Sequence, residues 1–228
     1  MPRPLPLTLF DLDHTRLDGD TDVLWCEFLL QRGAIDRASF EATNQRMERE
    51  YRAGTVSPQA FCEFYVSTLA GRTPVQWEPL RREFVDEVVA PRIGRAAHEL
   101  VQRHRSAGEL VVLTTATNRF LTELTAVHLG VSHLIATECE VDADARFTGR
   151  VAGTPNMREG KVERLHDWLR GERIDPLDCD ITFYSDSIND LPLLERARHP
   201  VAVNPDMRLA AEAAERGWPV LHLRDLVD

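Results

Sequence analysis

The chain has 228 residues, 43% of them hydrophobic and 28% charged, with a formal net charge of −10 at pH 7. That length suits one large domain or a core domain with a smaller insert, and the composition is that of a folded globular protein rather than a disordered or fibrous one. The acidic balance argues against a non-specific nucleic-acid or anionic-membrane binder, which would present a basic face, but local cations, backbone amides or a metal can still hold an anionic substrate.

Residues 7–10 form an apolar run broken only by Thr8, the pattern of a strand buried on both faces. The run stops at Asp11-Leu12-Asp13-His14-Thr15, so two carboxylates load a strand tip. On extended backbone, positions two apart share a side, which brings Asp11 and Asp13 together and turns His14 away into a structural role. Two like charges so close push one pKa upward unless a cation shares their site, so the pair points to a metal. Helical patterning follows over 23–31, 38–52, 58–70 and 79–89, with aromatics that include Trp25, Phe28, Phe61, Trp77 and Phe84. An insert of this size, residues 17–90, can bury a small core of its own as a helical cap between core segments 1–16 and 91–228.

A helix over 92–106 leads through Gly108 to a second strand at 110–114. Then come a helix at 119–129, a strand at 133–137, an irregular hairpin-like stretch over 139–151 and a helix at 159–169. The chain closes with strands at 181–184, 200–203 and 220–223 around helices at 191–197 and 207–216. Such alternation predicts an α/β fold with a doubly wound, mainly parallel sheet, and ligands of such sheets sit beyond the carboxyl ends of the strands. Cys26, Cys62, Cys139 and Cys179 show no Cys-x-x-Cys spacing, which argues against zinc. With a proline-rich rather than signal-like N-terminus and no membrane-length apolar run, the expectation is a cytoplasmic protein with reduced thiols.

Three further polar clusters fall at strand ends or helix starts. Thr114-Thr115-Ala116-Thr117-Asn118 offers hydroxyls and free amides that suit a phosphate oxygen, although a threonine-rich helix cap would look the same. Lys161 opens a helix, where a cation opposes the macrodipole unless an anion is near. Asp186, Asn189 and Asp190, in Ser185-Asp186-Ser187-Ile188-Asn189-Asp190, can ligate and support a hard cation such as Mg²⁺, with more polarity than a helix cap needs.

The order Asp-x-Asp-x-Thr, Thr, Lys, Asp-x-x-Asn-Asp strongly resembles the haloacid dehalogenase-like hydrolases, whose core is Rossmann-like. A helical insert straight after the first motif resembles the phosphoserine phosphatase-like branch, which includes histidinol-phosphatases. The resemblance implies a Mg²⁺-dependent phosphatase acting on a small phosphorylated metabolite. It makes Asp11 the nucleophile that forms an aspartyl-phosphate and Asp13 the general acid and base. Thr115, with Thr114 as the alternative one residue away, and Lys161 would hold the phosphoryl oxygens beside Ala116 and Asn189. Asp11, the Asp13 carbonyl and Asp186 would take the metal, with Asp190 in the same group.

Phosphoserine phosphatases resemble this chain in an acid shortly after the first motif, matched here by Asp20, which would meet a substrate amine. They also use a cap arginine for the substrate carboxylate, yet no lysine or arginine lies between Arg52 and Arg72. Asp18, Asp20, Asp22 and Glu27, with the cap aromatics, suit a cationic or heteroaromatic alcohol phosphate, and L-histidinol phosphate is the expected substrate. Phosphoserine is the alternative, and a phospho-ligand-binding regulatory module without turnover is the non-enzyme alternative. Arg16 stands where related chains carry an apolar residue, and it would either pair with the nearby acids or assist phosphate binding.

Overall fold

The computed structural model describes residues 4–52 and 55–223. The ends of the expected core segments, residues 1–3 and 224–228, and residues 53–54 of the insert lie outside it. The strands are β1 (Leu5–Phe10), β2 (Leu110–Asn118), β3 (His133–Thr137), β4 (Cys139–Val141), β5 (Phe147–Val151), β6 (Cys179–Ser185), β7 (His199–Val203) and β8 (Val220–Leu221). Six of them form one parallel sheet in the order β3-β2-β1-β6-β7-β8, while β4 and β5 make a separate antiparallel hairpin. The chain moves outward from β1 through β2 to β3, then crosses back to β6 on the other side. That reversal leaves a crevice beyond the carboxyl ends of the central strands.

The helices are α1 (Thr21–Gln31), α2 (Arg37–Arg52), α3 (Pro58–Val66), α4 (Pro74–Phe84), α5 (Arg95–Ser106), α6 (Arg119–His128), α7 (Glu159–Glu172), α8 (Leu191–Leu194) and α9 (Met207–Arg216). Both sheet faces are covered, which is why β1 is apolar on both sides except at the buried Thr8. Leu7 and Leu9 pack with Val162, Leu165 and Leu169 of α7 and Leu209 of α9. Phe10 turns to the other face, with Leu100 and Val101 of α5 and Leu121 of α6. No helix among the described residues is long and apolar enough to cross a membrane.

Several boundaries differ from the sequence expectation for identifiable reasons. α4 begins at Pro74 because Thr73 and Gln76 form a reciprocal capping box with proline in the first turn, and Pro79 is carried inside the helix. The expected helix over 58–70 ends at Val66 and tightens into a 3₁₀ turn, Ser67–Leu69. β2 runs on to Asn118 through a register shift against β3 between Thr115 and Asn118, which re-aims the side chains there.

The helical insert does not bury a core apart from the sheet. Trp25, Phe28, Trp77 and Phe84 pack against one another, Trp25 stacked on Phe28 and edge-to-face with Trp77 and Phe84, at centroid distances of 5.1–5.8 Å. They belong to the same buried cluster as Phe10, Leu113 and Tyr184 of the sheet. These aromatics are core, and of the aromatics named above only Phe61 reaches the cavity described below. The β4–β5 hairpin also ties to the insert, since Gly71 N–H donates to Phe147 O (2.9 Å) and Phe147 N–H to Arg72 O (3.0 Å). Gly149, at φ +84°, leaves room for this contact, because a Cβ there would stand 3.3 Å from Ser67 Cα.

Candidate active site

The β1 ladder extends by one residue, with Asp11 N–H donating to Tyr184 O at 2.9 Å, and then the chain turns sharply. Leu12 O accepts from both Arg16 N–H (2.7 Å) and Leu17 N–H (3.0 Å). His14 takes a left-handed conformation at φ 55° in this turn. Strand parity therefore does not apply to it, and its exposed side chain borders the cavity instead of facing away.

Asp11 is 6% exposed, and each of its oxygens is held. Oδ1 accepts from Lys161 Nζ at 2.7 Å and Oδ2 from Thr15 Oγ1 at 3.1 Å, the same hydroxyl lying 3.0 Å from Asp186 Oδ1. Lys161, only 2% exposed, also donates to Asp190 Oδ2 at 2.7 Å, and that oxygen accepts from Ser185 Oγ at 2.7 Å. Asp190, expected with the metal ligands, thus stands behind the lysine and fixes it. Gly160 lets α7 start close enough to place Lys161 here, since a Cβ would come within 2.1 Å of Pro155 O.

Asp13 is held more tightly still. Its Oδ1 accepts from Thr21 N–H at 2.8 Å and from the Thr21 hydroxyl, while Oδ2 accepts from Thr117 Oγ1 at 2.9 Å and Thr115 Oγ1 at 3.3 Å. Of the two threonines weighed for the phosphate, Thr114 turns away to accept from Asn156 Nδ2 at 3.0 Å. Thr115 faces Asp13 but is fully buried, and Ala116 and Thr117 are the β2 residues that line the cavity. Asp20, Asp186 and Asn189 line it as well, and Asp20 also caps α1 by accepting from Val23 N–H at 3.0 Å.

Arg16 does neither of the things expected of it. It is 3% exposed, its guanidinium lies 3.9 Å from the Phe10 ring centroid, and none of its side-chain nitrogens has a hydrogen-bond partner. Burial lowers its pKa to about 9. Asp18 and Glu27 are exposed and do not line the site.

The cavity is open to solvent and strongly acidic. Burial pushes Asp11 up to about 7, with Lys161 opposing and Asp190 and Asp13 adding to the rise. Burial raises Asp186 to about 8, with Asp11 adding, and raises Asp13 to about 6, with Asp20 adding against the hydroxyls that bond it. For Lys161, burial works against the ammonium, but Asp11 and Asp190 outweigh it and raise the pKa above its ordinary value. Among the described residues no three of His, Cys, Asp and Glu form a ready-made metal cage. An all-oxygen set with few protein ligands still fits Mg²⁺, which keeps several waters, and the carboxylate excess over one lysine calls for a cation.

These raised carboxyl values have a direction in pH. A carboxyl whose pKa is higher folded than unfolded contributes stability that is full below its unfolded value, here 3.8, and lost as pH rises through its folded value. In chelator, the melting temperature is expected to fall from pH 5 to pH 8 as Asp13, Asp11 and Asp186 ionise in turn. Added Mg²⁺ should flatten that fall, because it stabilises the ionised folded state by mass action. Calorimetry with and without chelator checks both, and a flat profile in chelator would contradict the assignment.

The haloacid dehalogenase-like hydrolase family model matches residues 8–195. The chain belongs to that family. Among haloacid dehalogenase-like proteins it is 40% identical to a histidinol-phosphatase of Neisseria meningitidis serogroup C over 96% of this chain and 99% of that one. It is 32% identical to a phosphoserine phosphatase of Mycobacterium tuberculosis, over 97% of this chain and 73% of the relative. A crystal structure of a protein of unknown function from Bordetella pertussis superposes with a TM-score of 0.90 at 41% identity, covering 96% and 98% of the two chains. The chain is a haloacid dehalogenase-like phosphatase with the Rossmann-like core of that family.

The roles of three hydroxyls escape the sequence reading: Thr15 enters it only as the last position of the first motif, Thr117 only as a member of the cluster after β2, and Thr21 not at all. Only the turn after β1 and the shift at the end of β2 bring their hydroxyls onto Asp11, Asp13 and Asp186.

Proposed function

We propose that this phosphatase hydrolyses a small phosphate monoester through an aspartyl-phosphate on Asp11, with L-histidinol phosphate as substrate. Asp11, clamped by Lys161 and Thr15, is pre-oriented to attack phosphorus and release the alcohol. Asp13, with its pKa near 6, protonates the leaving oxygen and then takes a proton from the water that attacks the phospho-enzyme. Lys161 and the β2 tip around Ala116 and Thr117 offer positive charge and amide donors to the phosphoryl oxygens, while Thr115, buried behind them, holds Asp13 and accepts from Thr117 N–H. Asp11, Asp186 and the Asp13 carbonyl would hold Mg²⁺, which would supply charge neutralisation at the phosphoryl group and favour the ionised form of Asp11.

One observation carries the choice of substrate. Lys161 is the one lysine or arginine among the described lining residues, and Asp11 and Asp190 occupy it, while Asp20 and Asp22 line the cavity as well. Such a cavity favours an ammonium and repels a carboxylate, which describes histidinol phosphate better than phosphoserine. The 40% identical histidinol-phosphatase supports the same reading. Like-charge opposition costs several kcal/mol, so with Mg²⁺ the kcat/KM for L-histidinol phosphate should exceed that for L-phosphoserine by about 100-fold. The opposite order in a phosphate-monoester panel would overturn this choice in favour of phosphoserine.

A further inference from the structure

The cavity carries more negative charge than phosphoryl transfer uses. Asp11 and Asp190 hold Lys161 and Asp186 shares the Thr15 hydroxyl with Asp11, whereas no lysine or arginine other than Lys161 is among the described lining residues to face Asp13, Asp20 and Asp22. Asp13 has a full set of hydroxyl and amide donors, and Asp20 accepts from the start of α1. Asp22 is different. It is 7% exposed, and its Oδ1 has no hydrogen-bond partner.

Its other oxygen is only part-served. Asp22 Oδ2 lies 3.2 Å from Thr117 Oγ1, but that hydroxyl is 2.9 Å from Asp13 Oδ2 and has a single proton to give. Buried carboxylate oxygens are nearly always paired, so an unpaired one beside a ligand cavity marks a missing donor. Stabilising the start of α1 does not account for it, because Asp20 already caps that helix and an exposed acid would serve the macrodipole equally well. Burial together with the neighbouring Asp20 and Asp13 carboxylates raises its pKa well above the ordinary value, as expected where a cation is lacking.

We propose that Asp22 is a specificity-determining residue which, with Asp20, binds the protonated primary amine of an amino-alcohol phosphate. An ammonium has three donors and no acceptor, so it can satisfy Asp22 Oδ1 and relieve the repulsion between neighbouring carboxylates. The same carboxylate rejects substrates that place a negative group at this position. The assignment rests on the phosphatase reading above and narrows its substrate class.

The test compares Asp22→Asn with the unaltered enzyme on L-histidinol phosphate and on the imidazolylpropyl phosphate that lacks only the amine. Asn keeps the size and the contact with Thr117 but removes the charge. The unaltered enzyme should favour the amine-bearing ester by about tenfold or more, and Asp22→Asn should lose most of that ratio, chiefly through KM, as expected for a charged hydrogen bond. An unchanged ratio, or an equal fall on both esters, would overturn the proposal, since a merely structural role through Thr117 and Asp13 would affect both alike. Asp22→Ser is measured alongside, and the ratio in whichever variant shows a cooperative melting transition decides. If L-phosphoserine proves the better substrate, the histidinol phosphate reading falls. Asp22 is then judged on phosphoethanolamine against ethyl phosphate, where a ratio insensitive to Asp22→Asn overturns it separately.

Discussion

Asp11→Asn is expected to lower kcat by about 10⁴-fold or more while leaving the fold intact. The amide is nearly the same size as the carboxylate and can still accept from Lys161, but it is a poor nucleophile towards phosphorus. Stability should change little. Lys161 keeps Asp190 at 2.7 Å, and the lost ion pair is offset by removing a carboxylate that burial already pushes up to about 7. A melting temperature within about 5 °C of the unaltered protein, measured beside phosphate release, checks this expectation. Retained turnover would refute Asp11 as nucleophile.

Lys161→Met should damage both activity and stability. The ammonium is 2% exposed and lies 2.7 Å from both Asp11 and Asp190, so its removal leaves two buried carboxylates facing each other without compensation. Breaking a buried pair in this way costs about 3–5 kcal/mol, or about 10 °C in melting temperature for a chain of this size. The loss depends on pH. Without the lysine the Asp11 carboxyl, already raised by burial, is pushed further up, so the variant should regain stability as pH falls and Asp11 takes up its proton, and should be weakest near pH 8. Activity should fall by about 10³-fold, the usual effect of deleting one charge-stabilising donor at a reacting centre. A loss of stability that does not vary with pH would show that packing, and not charge, is what Lys161 supplies.

The two variants separate roles that a sequence motif lumps together. Asp11 matters for chemistry while its charge burdens the fold. Lys161 is expected to serve both, because one ammonium neutralises Asp11 and the Asp190 behind it.

The sheet and the outline of the site could be read from the residues alone. A double-sided apolar run ending in Asp11-Leu12-Asp13, and strand–helix alternation after residue 110, are properties of local patterning, and local patterning is what periodicity reports. Helix starts were less legible. Asp20 and Thr73 cap α1 and α4 earlier than the apolar periodicity suggests, because a cap is a hydrogen bond to backbone and leaves no mark on hydrophobic spacing. The insert's aromatics were misplaced for a related reason. Nothing in a sequence tells a ring that lines a cavity from one that packs edge-to-face on other rings, and Trp25, Trp77 and Phe84 do the latter.

His14 and Arg16 show the same limit from another side. The strand parity that turns His14 away ends where the backbone enters the left-handed region, and the Arg16 guanidinium sits over Phe10 instead of hydrogen-bonding an acid. What the sequence determined by itself was the kinds of group present and the strand ends that carry them, since these follow from residue type and short-range period. Tertiary structure alone decided which hydroxyl faces which carboxylate, that Lys161 is shared by Asp11 and Asp190, and that Asp22 keeps an oxygen unpaired. Those are contacts between residues far apart in the chain, fixed by how helices seat on a sheet and by which groups are shut away from water, and no local pattern encodes either.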